Sequence, residues 1–233
     1  MTKTPYTYEE FANDLFQVIQ KFNLKKVNLI GWSDGGNTAL IFNSKYPELV
    51  NKIVTIGAVL NPNGVSEELI GSLKSLANKP SENTNLRLIN LMLNEPNITK
   101  NELNKIQNPV LVIAGEKDEV KESHTKEIQQ NISKAELFII PNSTHYVPFE
   151  QPKVLNEAIL RFLKKYEHRF SFHFLHIFTP INQLNEIHHR FFRPYLAHLD
   201  DFISRNLCPN NWCFYRATFG KFRKNIPIYL SVN

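Results

Sequence analysis

Cysteine is scarce in this sequence. Of 233 residues only Cys208 and Cys213 carry a thiol, and two neighbours near one end cannot form a disulfide framework that staples a fold. Long hydrophobic runs are lacking too. No stretch approaches the roughly 18 apolar residues of a spanning helix, and MTKTPYTYEEFANDL has neither the basic start nor the apolar core of a secretory leader. A cytoplasmic protein is expected, built as one globular domain with or without an appendage and long enough to bury a real core. Histidine is short where it matters: residues 1–167 hold two of the eight, His124 and His145. Glycine is missing from the start of the chain up to Gly31.

The chain carries a net charge of +5, but the excess has an address. Residues 1–167 have 19 basic and 19 acidic side chains, whereas residues 168–233 have 8 and 3. The second segment also holds 6 histidines, both cysteines and 14 of the 27 aromatics, but one of the 8 glycines. The sequence therefore divides into a body, 1–167, and a basic aromatic tail, 168–233. Charge gives the body no reason to bind nucleic acid.

Within the body, Phe11, Leu15, Phe16, Val18, Ile19 and Phe22 recur at the spacing of an amphipathic helix. Thr7 followed by Glu10 predicts a capping box at its start. KVNLIGW then reads as a short strand, DGGNTALIFNSKY as a helix stopped by Tyr46-Pro47, and 51–59 as another apolar, β-branched strand. Residues 61–107 are polar, helix-prone and interrupted by Pro62, Pro80 and Pro96, which predicts an insertion of short helices above the sheet. The rhythm resumes with a strand at 110–114, a helix over 122–132, the strand AELFIIP and the amphipathic helix VLNEAILRFLKKY. Such alternation implies a mainly parallel sheet with helices on both faces.

Chemistry is concentrated in Gly31-Trp32-Ser33-Asp34-Gly35, which has the pattern G-x-S-x-G. A serine on a tight strand-to-helix turn adopts strained backbone angles, and its neighbours must lack side chains for the backbones to pass. The helix that follows offers backbone N–H groups to an oxyanion. Serine needs a base, and the base needs an orienting acid. His145 lies in the loop after the last body strand, while His124 opens a charged helix, where a solvated face is expected. Asp118 stands just past the C-terminal end of the strand VLVIA, the sheet edge at which such folds place their sites. Glu116 and Glu119 compete with it for the acid role, and Trp32 is read as packing.

GWSDGG, GEKD and STHYVPFEQP together resemble the α/β-hydrolases, in particular the small microbial serine hydrolases and the valacyclovir hydrolase-like branch. The resemblance spans about 5–166. It implies Ser33 as nucleophile, His145 as base and then acid, Asp118 as its orienter, the Asp34 N–H as one oxyanion donor, and residues 61–107 as a lid. It also implies an ester-type small-molecule substrate and neither metal nor organic cofactor.

Family members carry further strands and an HG-type loop ahead of the elbow, and that loop completes the oxyanion hole. Here only a helix precedes it. The expectation is a partial α/β-hydrolase fold lacking the first family strands, with Met1 an internal methionine of a longer hydrolase or the gene a fragment. KVNLIGW would then be an unpaired edge, open to self-association. In the tail, 191–203 reads as a helix and IPIYLSV as a strand; no known motif supports a membrane or nucleic-acid role, and the abrupt change near Glu167 has the look of a frameshift or read-through. Cys208, Cys213, His188, His189 and His198 lack the ordered spacing of a zinc site. Two functions follow: a serine hydrolase cleaving a carboxylic ester, thioester or lactone, or a catalytically impaired fragment serving as a binding module or as a non-functional product.

Overall fold

A computed structural model describes residues 5–81 and 84–165, together with the backbone of 213–217 and 228–232. The predicted helix at 191–203 and the side chains weighed for zinc lie outside the described residues. One compact unit comprises Met1–Tyr166 and Tyr215–Asn233; of the second, Glu167–Phe214, only the last two residues are described.

The first unit opens with α1 (Tyr8–Lys21), whose N-cap Thr7 accepts from the Glu10 N–H at 3.1 Å, and whose buried stripe is Tyr8, Phe11, Ala12, Leu15 and Ile19. Next come β1 (Val27–Trp32), α2 (Asp34–Lys45) and β2 (Val50–Ile56). Among the described residues between β2 and β3 lie a 3-10 turn (Pro62–Gly64) and the α-helices α3 (Glu67–Asn78), α4 (Leu86–Asn94) and α5 (Lys100–Asn104). They are followed by β3 (Val110–Gly115), α6 (Glu122–Gln130), β4 (Ala135–Ile140), the single turn α7 (Val147–Glu150) and α8 (Pro152–Lys165). Two strands, β5 (Cys213–Ala217) and β6 (Ile228–Val232), end the chain.

The sheet order is β4-β3-β2-β1-β6-β5. Strands β1 to β4 pair in parallel, so each crossover is made by a helix or by the α3–α5 segment. Every residue of β3 is buried and so are five of the six in β1, which requires cover on both faces. The core joins the α1 stripe to Leu29, Leu40, Phe42, Ile53 and Val112. Among the described residues no helix is long and apolar enough to cross a membrane.

Two expectations change here. The outer edge of β1 is not unpaired: β6 runs antiparallel along it, from Val27 opposite Val232 to Gly31 opposite Ile228. Within IPIYLSV, residues 228–232 form a strand with a seat, because an apolar strand with unmet N–H and C=O groups accepts any extended segment that can satisfy them. Self-association through that edge loses its structural basis. His124, expected on a solvated face, is half-buried; its ring lies against Gly64 and its Nδ1 is enclosed without a hydrogen-bond partner. Burial pushes its pKa down, since the charged form loses hydration.

Candidate active site

The turn from β1 to α2 carries Ser33 at φ 56° and ψ −121°, a conformation that side chains resist. It survives because the surroundings hold it. The Ser33 N–H donates to the Ile56 carbonyl at 2.7 Å, its own carbonyl accepts from Gly36 at 2.8 Å, and Gly31 leaves room that a Cβ would fill by colliding with the Gly35 carbonyl. Asp34 is the first residue of α2, a position whose N–H finds no acceptor within the helix. The positive end of the helix dipole therefore lies directly after Ser33.

Across the sheet, the loop after β3 supplies Asp118 and the loop after β4 supplies His145. His145 Nδ1 lies 2.8 Å from Asp118 Oδ1. The Asp118 side chain is 2% exposed and also accepts from the Val120 N–H at 2.9 Å and the Gly115 N–H at 3.3 Å. An ionised carboxylate only accepts, so a neutral His145 carries its proton on Nδ1 and presents Nε2 as a base. Burial alone would push the His145 pKa down; the hydrogen bond and charge of Asp118, joined by Glu119 and Asp34, lift it above the ordinary histidine value. Of the rival acids, Glu116 is taken up by the Asn142 N–H at 2.9 Å. Glu119 sits closer, on the wall of the same cavity, with one enclosed oxygen unpartnered.

Ser33 and His145 line one cavity of about 300 Å³. Val59, Val65, Leu69, Leu73 and Met92 make much of its wall apolar, and Asp34, Glu95 and Glu119 place carboxylates in it. The donor atoms of Asp118, Glu119 and His145 lie within 4.8 Å of one another, a grouping able to attract a cation. A cation there would compete with the proton shared by His145 and Asp118, so it would disrupt that pair.

This geometry has relatives. Residues 1–83 match the α/β hydrolase fold family. The chain is 28% identical over 179 residues to serine hydrolase BPHL of Homo sapiens, covering 67% of this chain and 61% of that one. The chain thus spans about three fifths of the length of the curated relatives it first matches. Among solved structures, a bromoperoxidase from Bacillus anthracis superposes with a TM-score of 0.61 at 22% identity, covering 70% of this chain and 76% of that one. An enol-lactonase from Burkholderia xenovorans LB400 does so with a TM-score of 0.61 at 16% identity, over 70% and 75%. At such identities these two likenesses speak for the fold.

The family match and these relatives support an α/β-hydrolase superfamily member.

Several contacts in this candidate site escape a reading by motif. Gly57, at φ +61° just after β2, lies under the histidine: a Cβ there would come within 2.7 Å of His145 Cε1 and 2.8 Å of Nδ1. A glycine closing a β-branched run was its one signal in the sequence. Trp32, read as packing, donates from Nε1 to the His145 carbonyl at 2.8 Å and so ties the elbow to the histidine loop. Glu150 of the FEQP stretch braces that loop, accepting from the Thr144 N–H and, at 2.9 Å, from its hydroxyl. Tyr8 and Asn37, unremarked as an aromatic in a helix stripe and an amide in a helix, are both buried on the cavity wall.

Proposed function

We propose that this hydrolase cleaves a carboxylic ester, thioester or lactone through an acyl-enzyme. Ser33 attacks the carbonyl carbon while His145 Nε2 takes its proton. The Asp34 N–H receives the developing oxyanion, and the proton passes from His145 to the leaving oxygen or sulfur. Water then repeats the sequence, with His145 again as base, to release the acid and regenerate Ser33. Asp118 holds the imidazole in the tautomer the first step requires and stabilises the imidazolium that forms.

The observation that carries this reading is the 2.8 Å contact between His145 and Asp118 in a histidine that shares its cavity with Ser33 at the head of α2. The name of the human relative, a serine hydrolase, points the same way. An acyl group fits the apolar wall formed by Val59, Leu69, Leu73 and Met92, and residues 61–107 act as the lid that selects it. The test is labelling with a fluorophosphonate probe. Wild type should label, and Ser33→Ala should lose both labelling and turnover, the latter by about 10⁶-fold. A folded wild-type chain that never labels would sink the proposal.

A further inference from the structure

Tyr8 fills the first position of α1 and is 1% exposed, yet its hydroxyl reaches the cavity beside Ser33. That hydroxyl donates to Asp34 Oδ1 at 2.6 Å and accepts from Asn37 Nδ2 at 3.1 Å. Asn37 Oδ1 in turn accepts from the Val59 N–H at 2.9 Å, and the Tyr8 N–H donates to Glu95 Oε2 at 3.0 Å. The chain of bonds joins α1, the first turn of α2, the segment after β2 and the end of α4.

Packing does not ask for a phenol at this place. A phenyl ring would meet Phe11 edge-on in the same way, with centroids 6.0 Å apart. What the hydroxyl adds is a charge-assisted bond to the residue that follows the nucleophile. The Asp34 peptide is gripped at its other end too, where its carbonyl accepts from Thr38 Oγ1 at 2.7 Å. A carboxylate next to the point where an oxyanion forms opposes that charge unless its position is fixed and its charge is shared.

On the acyl-transfer reading of Ser33, we propose that Tyr8 is a positioning residue for the reaction: its hydroxyl pins the Asp34 carboxylate, and with it the adjacent oxyanion-binding amide, to α1. Tyr8 touches no reacting atom. It acts through Asp34.

A purely structural tyrosine would not alter the proton chemistry, whereas this one does. Asp34 faces Tyr8 from α1 and His145 from the loop after β4, and Glu95 at the end of α4 adds its charge to Tyr8. His145 faces Asp118 and Glu119 from the loop after β3, as well as Asp34. Burial raises the Asp34 pKa and the bond from Tyr8 opposes that rise. Without the hydroxyl, Asp34 holds its proton over more of the pH range and no longer supports the charge on His145. The acidic limb of activity, set by loss of the neutral imidazole, then moves to lower pH.

The experiment uses the full chain, p-nitrophenyl acetate and the fluorophosphonate probe, with wild type, Tyr8→Phe, Asp34→Asn and the double variant. Tyr8→Phe is expected to lower kcat about 10- to 100-fold, the worth of a hydrogen bond to a charged group, to leave KM within about twofold, and to shift the acidic limb downward. In the Asp34→Asn background the same change should do little more. Unchanged kcat and limb, or an equal loss in both backgrounds, would overturn the inference while leaving Ser33 labelling intact. Wild type that does not label at Ser33 overturns both this inference and the hydrolase reading. Should Tyr8→Phe fail to fold, Asp34→Asn against wild type decides it: an unmoved kcat and acidic limb overturn the role of the pair.

Discussion

The two sides of the cavity are held in opposite ways. Around Asp118 and His145 each loop is also braced from within: Asp118 accepts from the N–H groups of Gly115 and Val120, Ser143 Oγ donates to the Ile140 carbonyl, and Glu150 holds Thr144, while the His145–Asp118 contact joins the two loops across 27 residues. Around Ser33 the restraints come from far along the chain. Tyr8 is 26 residues from Asp34, Trp32 is 113 from His145, and the outer edge of β1 is paired by β6. A histidine and its acid can be set by two well-made loops, but a strained elbow needs the rest of the fold to hold it. This difference predicts that the two sides fail differently when disturbed.

With Ser33 left in place, the largest effect is expected at Asp118. Asp118→Asn keeps the shape but reverses the hydrogen-bond roles available to His145 Nδ1, and should lower kcat by about 10⁴-fold. Pre-steady-state acylation measures it; a loss below tenfold would mean that Glu119 takes over as the acid.

Gly57→Ala tests where the two sides meet. The added methyl group opposes φ +61° and pushes against the His145 ring, so urea denaturation should show a loss of about 1–2 kcal/mol from the backbone alone. Turnover should fall as well, since the methyl group would lie within 2.8 Å of His145 Cε1 and Nδ1 and must displace the ring. Equal stability and turnover would show that the ring has room to yield.

Leu230→Pro attacks the long-range side. Leu230 lies opposite Leu29 in a strand paired with β1 on one side and β5 on the other, so proline removes an N–H from the sheet. About 0.5–1.5 kcal/mol of stability should go with the bond. Sedimentation velocity should show concentration-dependent association as the β1 edge becomes available to another copy, whereas the monomer persists if the edge is protected by other means.

The smallest effect concerns charge alone. Because the folded His145 pKa is raised, kcat/KM should fall on acidification with a midpoint above the ordinary value of about 6.5. The linked stabilisation has the opposite sense: it is present below the unfolded pKa and lost as pH rises through the raised one. Glu119→Gln removes one of the supporting charges and should move the activity midpoint down, read from a pH–rate profile. An upward shift would contradict the assigned sign.

Much of this arrangement was legible residue by residue. Phe11, Leu15 and Ile19 marked α1 because helical period and burial coincide, and the run at 110–114 marked β3 because a strand covered on both faces is apolar throughout. Gly31 beside Ser33 announced the elbow, since the backbone crossing excludes a Cβ. Tyr8 was hidden because its ring satisfied the helix stripe and concealed the use of its hydroxyl. His124 was misplaced because a charged helix says nothing of the loop that packs on it, and the pairing of β6 with β1 went unread because no local pattern reports which edge a strand will find.

By itself, then, the sequence determined the helices and strands, the parallel order their alternation requires, and the strained turn at Ser33, because each rests on neighbours within a few residues. Tertiary structure alone decided that Asp118 would be the carboxylate bonded to His145, that Gly57 would lie beneath that ring, that Tyr8 would close on Asp34, and that β6 would cover β1. Each of these depends on a distance through space between residues whose spacing along the chain places no limit on it.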